Sequence, residues 1–193
     1  MAAGFTISSN EDYVSGTSYS DKDGNDRFVF CSNGLNNIYF YDGTDVKSFT
    51  DAGDNPDFEQ PAQGNLTRAW FVNLFGERLN FYSPTISNRA YPQGVLYSGS
   101  RDSSGKGDKF NSVGSGLLQA DTFEYISGVS IINDVVVINF SKSNWILQKT
   151  PDAFNPYFIK KIAASNNGTS APFSAIAWNQ EVASVGKSGI ILT

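Results

Sequence analysis

The sequence predicts an all-β protein: a β-propeller-like array of about four antiparallel blades, either incomplete in itself or a fragment of a larger propeller. Three observations predict it. A pair of tight turns recurs four times with a constant offset of nine residues, at Gly34 and Gly43, Gly76 and Thr85, Asn133 and Lys142, and Asn179 and Ser188. Short aromatic and β-branched runs flank these turns, as half-buried strands require. Helix formers at helical spacing are scarce, while Gly, Ser and Asn recur throughout. The first turns lie 42, 57 and 46 residues apart. A fixed offset inside uneven intervals suits blades, because inner strand pairs keep register while outer strands and connections vary.

The elements follow in order. In 1–26, Ser, Asp, Asn and Gly dominate, with a brief apolar alternation at Phe5 and Ile7, so an arm or an outer strand is expected there. The propeller-like domain then spans 27–193, with repeats at about 27–50, 68–98, 125–163 and 174–192. The first repeat runs Arg27-Phe28-Val29-Phe30-Cys31, turns at Asn33-Gly34, returns through Ile38-Tyr39-Phe40-Tyr41, and turns again at Asp42-Gly43. Both turns carry the dipeptides that supply positive φ in hairpins. A polar, Pro-containing surface connection occupies 51–64.

The second repeat pairs Ala69-Trp70-Phe71-Val72 with Leu79-Asn80-Phe81-Tyr82 around Gly76 and leads through Pro84 to Val95-Leu96-Tyr97. A Gly/Ser/Asp-rich loop over 99–116 accounts for the longest interval. The third repeat gives 126–132, an Asn133-Asp134 turn, Val135-Val136-Val137-Ile138, a second turn, Trp145-Ile146-Leu147-Gln148, and a fourth strand at Phe158-Ile159-Lys160-Lys161-Ile162. The last repeat has three strands, around Ile176, Val182 and Ile191, and no fourth. An open edge left unprotected invites aggregation. The strand around Phe5 to Ile7, a neighbouring chain, or further sequence of a longer protein would complete it.

Composition narrows the function. With 40% hydrophobic and 17% charged residues over 193 positions, the chain suits one globular domain with a substantial core. The net charge of −5 opposes binding to a duplex backbone, and Lys160 and Lys161 are the only adjacent bases. Histidine is absent, which removes Ser/His/Asp and Cys/His nucleophile systems and the commonest zinc ligand. The single cysteine, Cys31, lies in an apolar run and is expected to be a buried hydrophobe. Residues 1–9 lack a basic and then apolar leader, and no apolar run approaches the roughly 18 residues that span a bilayer. The chain reads as made in a cytoplasm, with no membrane partner.

Candidate chemistry is sparse. The cluster Asp21, Asp23, Asn25 and Asp26 resembles the start of a calcium loop, but Asp26 stands where that motif needs Gly and Ser32 where it needs Glu. A solvated turn is the simpler expectation. The stretch from Gly99 to Lys106 has one residue too many for a phosphate loop, and Gly107 replaces the required Ser or Thr. The same stretch matches the repeated turn of sialidase propellers only loosely. Acid pairs for glycoside hydrolysis could come from Asp121 and Glu124, or from Asp54, Asp57 and Glu59. Trp70, Tyr82, Tyr91, Tyr97 and Trp145 could stack on sugars from a rim, although packing between blades claims such positions first. Glycosylation triplets at Asn65, Asn139 and Asn167 are expected by chance in so Asn- and Ser-rich a chain.

Three stretches carry a resemblance. Phe28-Val29-Phe30-Cys31-Ser32-Asn33-Gly34 with Tyr39-Phe40-Tyr41-Asp42-Gly43, then Tyr91-Pro92-Gln93-Gly94-Val95-Leu96-Tyr97-Ser98-Gly99, then Ile126-Ser127-Gly128-Val129 through Trp145-Ile146-Leu147, resemble the wording of bacteriophage virion β-propeller proteins. These are the tail nozzle or tail tubular protein B type and the packaged-DNA stabilisation proteins of short-tailed phages. The likeness covers about 27–192. Members of these families are usually much longer, which favours a fragment, a reduced version, or blades completed between subunits.

The resemblance implies a non-enzymatic subunit of the virion, a tail nozzle, hub or adaptor component made in the host cytoplasm and acting by assembly contacts. Its partners would be other virion proteins on the tail or portal side and further copies of itself around a tail axis. DNA would be met only as non-specific passage. No catalytic, cofactor-binding or metal-binding set is expected; candidate contact residues lie on the connecting loops, at Asp51, Asp54, Asp57, Glu59, Arg101, Asp102 and Lys106. The alternative is a carbohydrate-binding, receptor-recognition propeller, and a glycosidase ranks last.

Overall fold

The computed structural model describes residues 13–21, 24–32, 34, 36–48, 60–99, 109–162, 168–187 and 189–193. Among them the fold is all-β, and no helix is long and apolar enough to cross a membrane. The chain divides into two compact units, Met1–Leu117 and Leu118–Thr193.

In the first unit, strands β1 (Val14–Ser20), β2 (Asp26–Ser32), β3 (Tyr39–Tyr41) and β4 (Val46–Ser48) form a meander in sequence order. Asp21 organises the β1–β2 turn. Its carboxylate accepts hydrogen bonds from the Asn25 backbone at 2.8 Å and side chain at 3.3 Å, and Arg27 meets it at 2.8 Å. Asp42 does the same for β3–β4, accepting from the Thr44 and Asp45 amides at 2.9 and 2.8 Å while Lys47 lies 2.7 Å away. Short acceptors bonded to amides just ahead are what turns favour.

The second sheet runs β11-β10-β7-β6, from β6 (Phe71–Phe75), β7 (Arg78–Tyr82), β10 (Gly94–Tyr97) and β11 (Gly116–Gln119), the last lying across the boundary of the unit. Gly76 and Glu77 join β6 to β7 with φ of 58° and 62°. Positive φ at both central residues is the type I′ geometry that matches strand twist.

Here the structure departs from the expected second turn. Thr85 lies in a strand, β8 (Thr85–Ile86), which pairs with β9 (Arg89–Ala90) and with β5 (Leu66–Arg68) in a separate small sheet. Ser87 and Asn88 close this extra hairpin at φ of 47° and 68°, so the main sheet resumes only at Gly94. The nine-residue offset therefore marks an inserted hairpin in this repeat.

The core of the first unit gathers Val29, Cys31 and Phe40 from the first sheet with Val72, Leu79, Phe81 and Leu96 from the second. Phe110 packs on Phe81 with ring centroids 5.6 Å apart. Ser15 links the sheets: its hydroxyl lies 3.2 Å from the Val72 carbonyl and 3.1 Å from the Val72 amide. Arg78 is buried, and its guanidinium donates to the carbonyls of Ser98 and Gly114 at 2.9 and 2.7 Å, tying down both ends of the 99–116 loop. A buried cation is tolerated where its hydrogen bonds are met.

In the second unit, β12 (Ile126–Ile132), β13 (Val135–Phe140), β14 (Asn144–Lys149) and β15 (Tyr157–Lys161) form a second uninterrupted meander. The last sheet has three strands, β16 (Ile176–Trp178), β17 (Glu181–Gly186) and β18 (Gly189–Leu192). A bulge at Ser127 interrupts the β12–β13 ladder and leaves the Ser127 carbonyl to accept from the Phe173 amide at 2.9 Å. This draws the segment before β16 onto β12, where a Cβ at Gly128 would stand 2.7 Å from the Ala175 Cβ. Gly168 is tighter still. A Cβ there would lie 2.2 Å from the Phe140 carbonyl oxygen and the Lys142 nitrogen.

Candidate functional site

Strand alternation sorts the first sheet into two faces. Val29 and Cys31 point into the core with Phe40, so Phe28 and Phe30 point away from it. Phe28 stands opposite Tyr41 and Phe30 opposite Tyr39. The rings form a ladder, with Phe28 and Phe30 centroids 6.1 Å apart and Phe30 and Tyr39 centroids 5.9 Å apart. Gly16 makes room for it, because a Cβ there would meet the Phe28 ring at 2.5 Å. Phe28, Tyr41 and Val14 remain exposed on this face.

The last sheet repeats the pattern with aliphatic residues. Val182 and Ser184 are buried, so the alternate positions of β17 face outward. Register places Trp178 beside Glu181, Ile176 and Leu192 beside Ala183, and Ile190 beside Val185. Ile176, Trp178, Val185, Ile190 and Leu192 thus form one continuous apolar face, with exposures between 43% and 80%. A contiguous exposed apolar face of this kind is the candidate interaction surface among the described residues.

The candidate contact residues Asp51, Asp54, Asp57, Glu59, Arg101, Asp102 and Lys106 lie outside the described residues, as do Asp23, Asn167 and the strand expected around Phe5 and Ile7. Of the aromatics proposed for a rim, Tyr82, Tyr97 and Trp145 are buried. Trp70 is half-buried with its indole against Gly34, and Tyr91 is half-buried beneath the Arg89 guanidinium, 5.1 Å from the ring centroid. Trp178 is the exposed tryptophan among the three. Both oxygens of Glu124 serve the β13–β14 turn, while Asp121 is exposed. Asn139 is fully buried and donates to Asn144 at 3.0 Å; Asn65 is exposed. Cys31 is fully buried, and burial raises its thiol far above the ordinary range.

Strands β2–β4 and β16–β18 fall where the sequence predicts strands, whereas β1 falls in the stretch read as an arm or an outer strand. The exposed faces were not separable from the core faces in the sequence, because Phe28 and Phe30 alternate with Val29 and Cys31 and both sets are apolar.

No protein-family model and no curated protein matches the chain. Among solved structures, the computationally designed Ika4 protein is similar at a TM-score of 0.47 and 11% identity, over 97% of this chain and 94% of that one.

Proposed function

We propose that this chain is a structural component of a tailed-bacteriophage virion, a tail nozzle, hub or adaptor part that acts by assembly contacts and carries out no catalysis. In this reading its four sheet-forming repeats are blades of a propeller-like array, either incomplete or part of a longer ring. Support comes from the resemblance of the three sequence stretches and, above all, from the apolar outer face of β16–β18. A large apolar surface held on rigid strands is suited to burial against another protein. Copies around a tail axis and other tail or portal-side proteins are the proposed partners.

The test is localisation: antibody against the chain should label purified particles, and particles made without it should lack a tail part or fail to assemble. Intact, infectious particles lacking the chain would overturn the proposal.

One observation favours a second reading, a carbohydrate-binding module: Trp178 is 63% exposed. Its cross-strand neighbour Glu181 is an exposed carboxylate that can accept from sugar hydroxyls, whereas Ile176, Ala183 and Leu192 on the same face cannot hydrogen-bond them, so polar support for stacking would rest on that one side chain. Binding to a glycan array that is lost in Trp178→Ala would favour this reading over assembly.

A further inference from the structure

We infer that the second unit holds an ordered water buried between its two sheets, bound by Asn139, Thr169 and Ser184. Among the described residues, four buried side-chain oxygens have no hydrogen-bond partner within the protein: Asn80 Oδ1 in the first unit, and Asn139 Oδ1, Thr169 Oγ1 and Ser184 Oγ in the second. Asn139 and Thr169 are fully buried, and Ser184 is 2% exposed. Leaving a buried polar group unpaired is costly, and the great majority of such groups are satisfied by protein or by bound water.

The three side chains belong to one layer. Asn139 and Asn144 stand opposite each other on β13 and β14, and the Asn139 amide donates to the Asn144 side-chain oxygen at 3.0 Å. Asn144 in turn donates to the Thr193 hydroxyl at 2.9 Å. Thr193 and Val182 exchange backbone hydrogen bonds of 2.8 and 2.9 Å, so their side chains share one face of the last sheet. Ser184, two residues along β17 from Val182, lies on that face too. The face of β13–β14 that bears Asn139 therefore meets the face of the last sheet that bears Ser184. Thr169 sits at the end of this layer. Its amide donates to the carbonyl of Phe140, the neighbour of Asn139, at 2.8 Å, while the Ser170 and Ala171 amides donate to the carbonyl of Val185, the neighbour of Ser184, at 3.0 and 3.3 Å. The approach is close, since a Cβ at Gly186 would lie 3.1 Å from the Gly168 carbonyl oxygen.

These groups suit water. A buried water makes about three hydrogen bonds to polar groups that are otherwise unpaired. The Asn139 oxygen can only accept, whereas the two hydroxyls can each donate and accept. A water can therefore donate to Asn139 and to one hydroxyl while it accepts from the other. A cation fits less well, because all three groups are neutral and an uncompensated buried charge is expensive. No cluster of three His, Cys, Asp or Glu side chains able to hold a metal occurs among the described residues.

Oxygen-17 magnetic relaxation dispersion on the full chain tests the inference, because it detects water held inside a protein far longer than surface water. Thr169→Val removes the hydroxyl and nearly keeps the side chain's shape. The wild-type chain should show a dispersion from long-lived water, and Thr169→Val should reduce its amplitude and lower the midpoint of urea denaturation. A wild-type chain without dispersion would overturn the inference, as would a folded Thr169→Val that keeps the full amplitude. So would a raised midpoint, which is the result expected when a dry, unpaired hydroxyl is removed. Ser184→Ala serves, with the same expectations, should Thr169→Val lose its far-ultraviolet circular dichroism. A wild-type midpoint that differs between sodium and potassium chloride at equal concentration would replace the water by a monovalent cation and overturn the assignment. None of these outcomes depends on whether the chain is found in virions.

Discussion

The Glu124 carboxylate accepts a hydrogen bond from the Ser143 hydroxyl at 2.9 Å, and the same hydroxyl accepts from the Trp145 indole at 3.0 Å. The other Glu124 oxygen accepts from the Lys142 amide at 2.6 Å. One side chain therefore closes the β13–β14 turn and positions Trp145, which packs on Phe140 with centroids 5.9 Å apart. Glu124→Ala should destabilise the fold by about 1–3 kcal/mol, since it leaves part-buried donors without their acceptor. Urea denaturation measures this. An unchanged midpoint would show the carboxylate to be free for other work, including the acid role weighed for Asp121 and Glu124.

Gly168 is a packing requirement more than a flexibility one. Its missing Cβ would fall 2.2 Å from backbone atoms of Phe140 and Lys142, which cannot swing aside. Gly168→Ala should cost about 2 kcal/mol or more, in the range of forced backbone shifts. Gly16→Ala provides the contrast, because the atom in its way is the tip of the partly exposed Phe28 ring. That ring can rotate away, so its thermal midpoint should fall by less than that of Gly168→Ala.

Acid should loosen the hairpins of the first sheet. Burial pushes the Asp21 carboxyl up, but hydrogen bonds from Asn25 and the Arg27 guanidinium outweigh it and hold the group below its ordinary value. The Asp45 amide, Lys47 and the Thr44 amide hold Asp42 well below the usual carboxylate range. A carboxyl depressed in the folded state contributes stability that is complete above its unfolded value, about 3.9, and is lost as pH falls through the folded one. Thermal midpoints should therefore drop below about pH 4, and Asp21→Asn should flatten that limb. Added salt should weaken the Asp42–Lys47 share most, since Lys47 is the more exposed cation.

Cys31 reports on opening of the first unit. Its thiol is fully buried among Val29, Phe40 and their neighbours, and burial keeps it protonated. A thiol reagent should leave the native chain unmodified and should label one group per chain in denaturant, where the thiolate becomes accessible. Fast labelling under native conditions would contradict the packing of β2 against the second sheet.

How far the sequence could be read depends on where glycine and polarity mark geometry. Asn33-Gly34 and Asp42-Gly43 announce their turns through residues that tolerate positive φ, and Gly34 and Gly43 have φ of 71° and 96°. The inserted β8–β9 hairpin is marked more weakly, because Ser87 and Asn88 take positive φ without glycine and, of the two, asparagine alone favours that conformation. Nor could the exposed faces be identified. In Arg27-Phe28-Val29-Phe30-Cys31 the alternate positions are apolar on both sides, so a period of two locates a strand without saying which side meets the core. The tryptophans show the same ambiguity, since Trp145 and Trp178 both sit in strands but one is buried and the other exposed.

The type I′ turns offer the most direct gain in stability. Asn179 and Gln180 join β16 to β17 with φ of 48° and 73°, and Gln180 is a residue with no local means of stabilising that conformation. Asparagine followed by glycine is the preferred pair for such a turn, because glycine takes left-handed φ without a steric penalty of about 1 kcal/mol. Gln180→Gly should therefore raise stability by up to about 1 kcal/mol. The residue is exposed, so no packing is lost to offset the gain. Glu77→Gly, at φ of 62° after Gly76, should gain less, because two successive glycines loosen the unfolded chain more than one. Comparing the two variants by chemical denaturation checks both the sign and the order, and a destabilised Gln180→Gly would mean that the β16–β17 hairpin is not held in this turn.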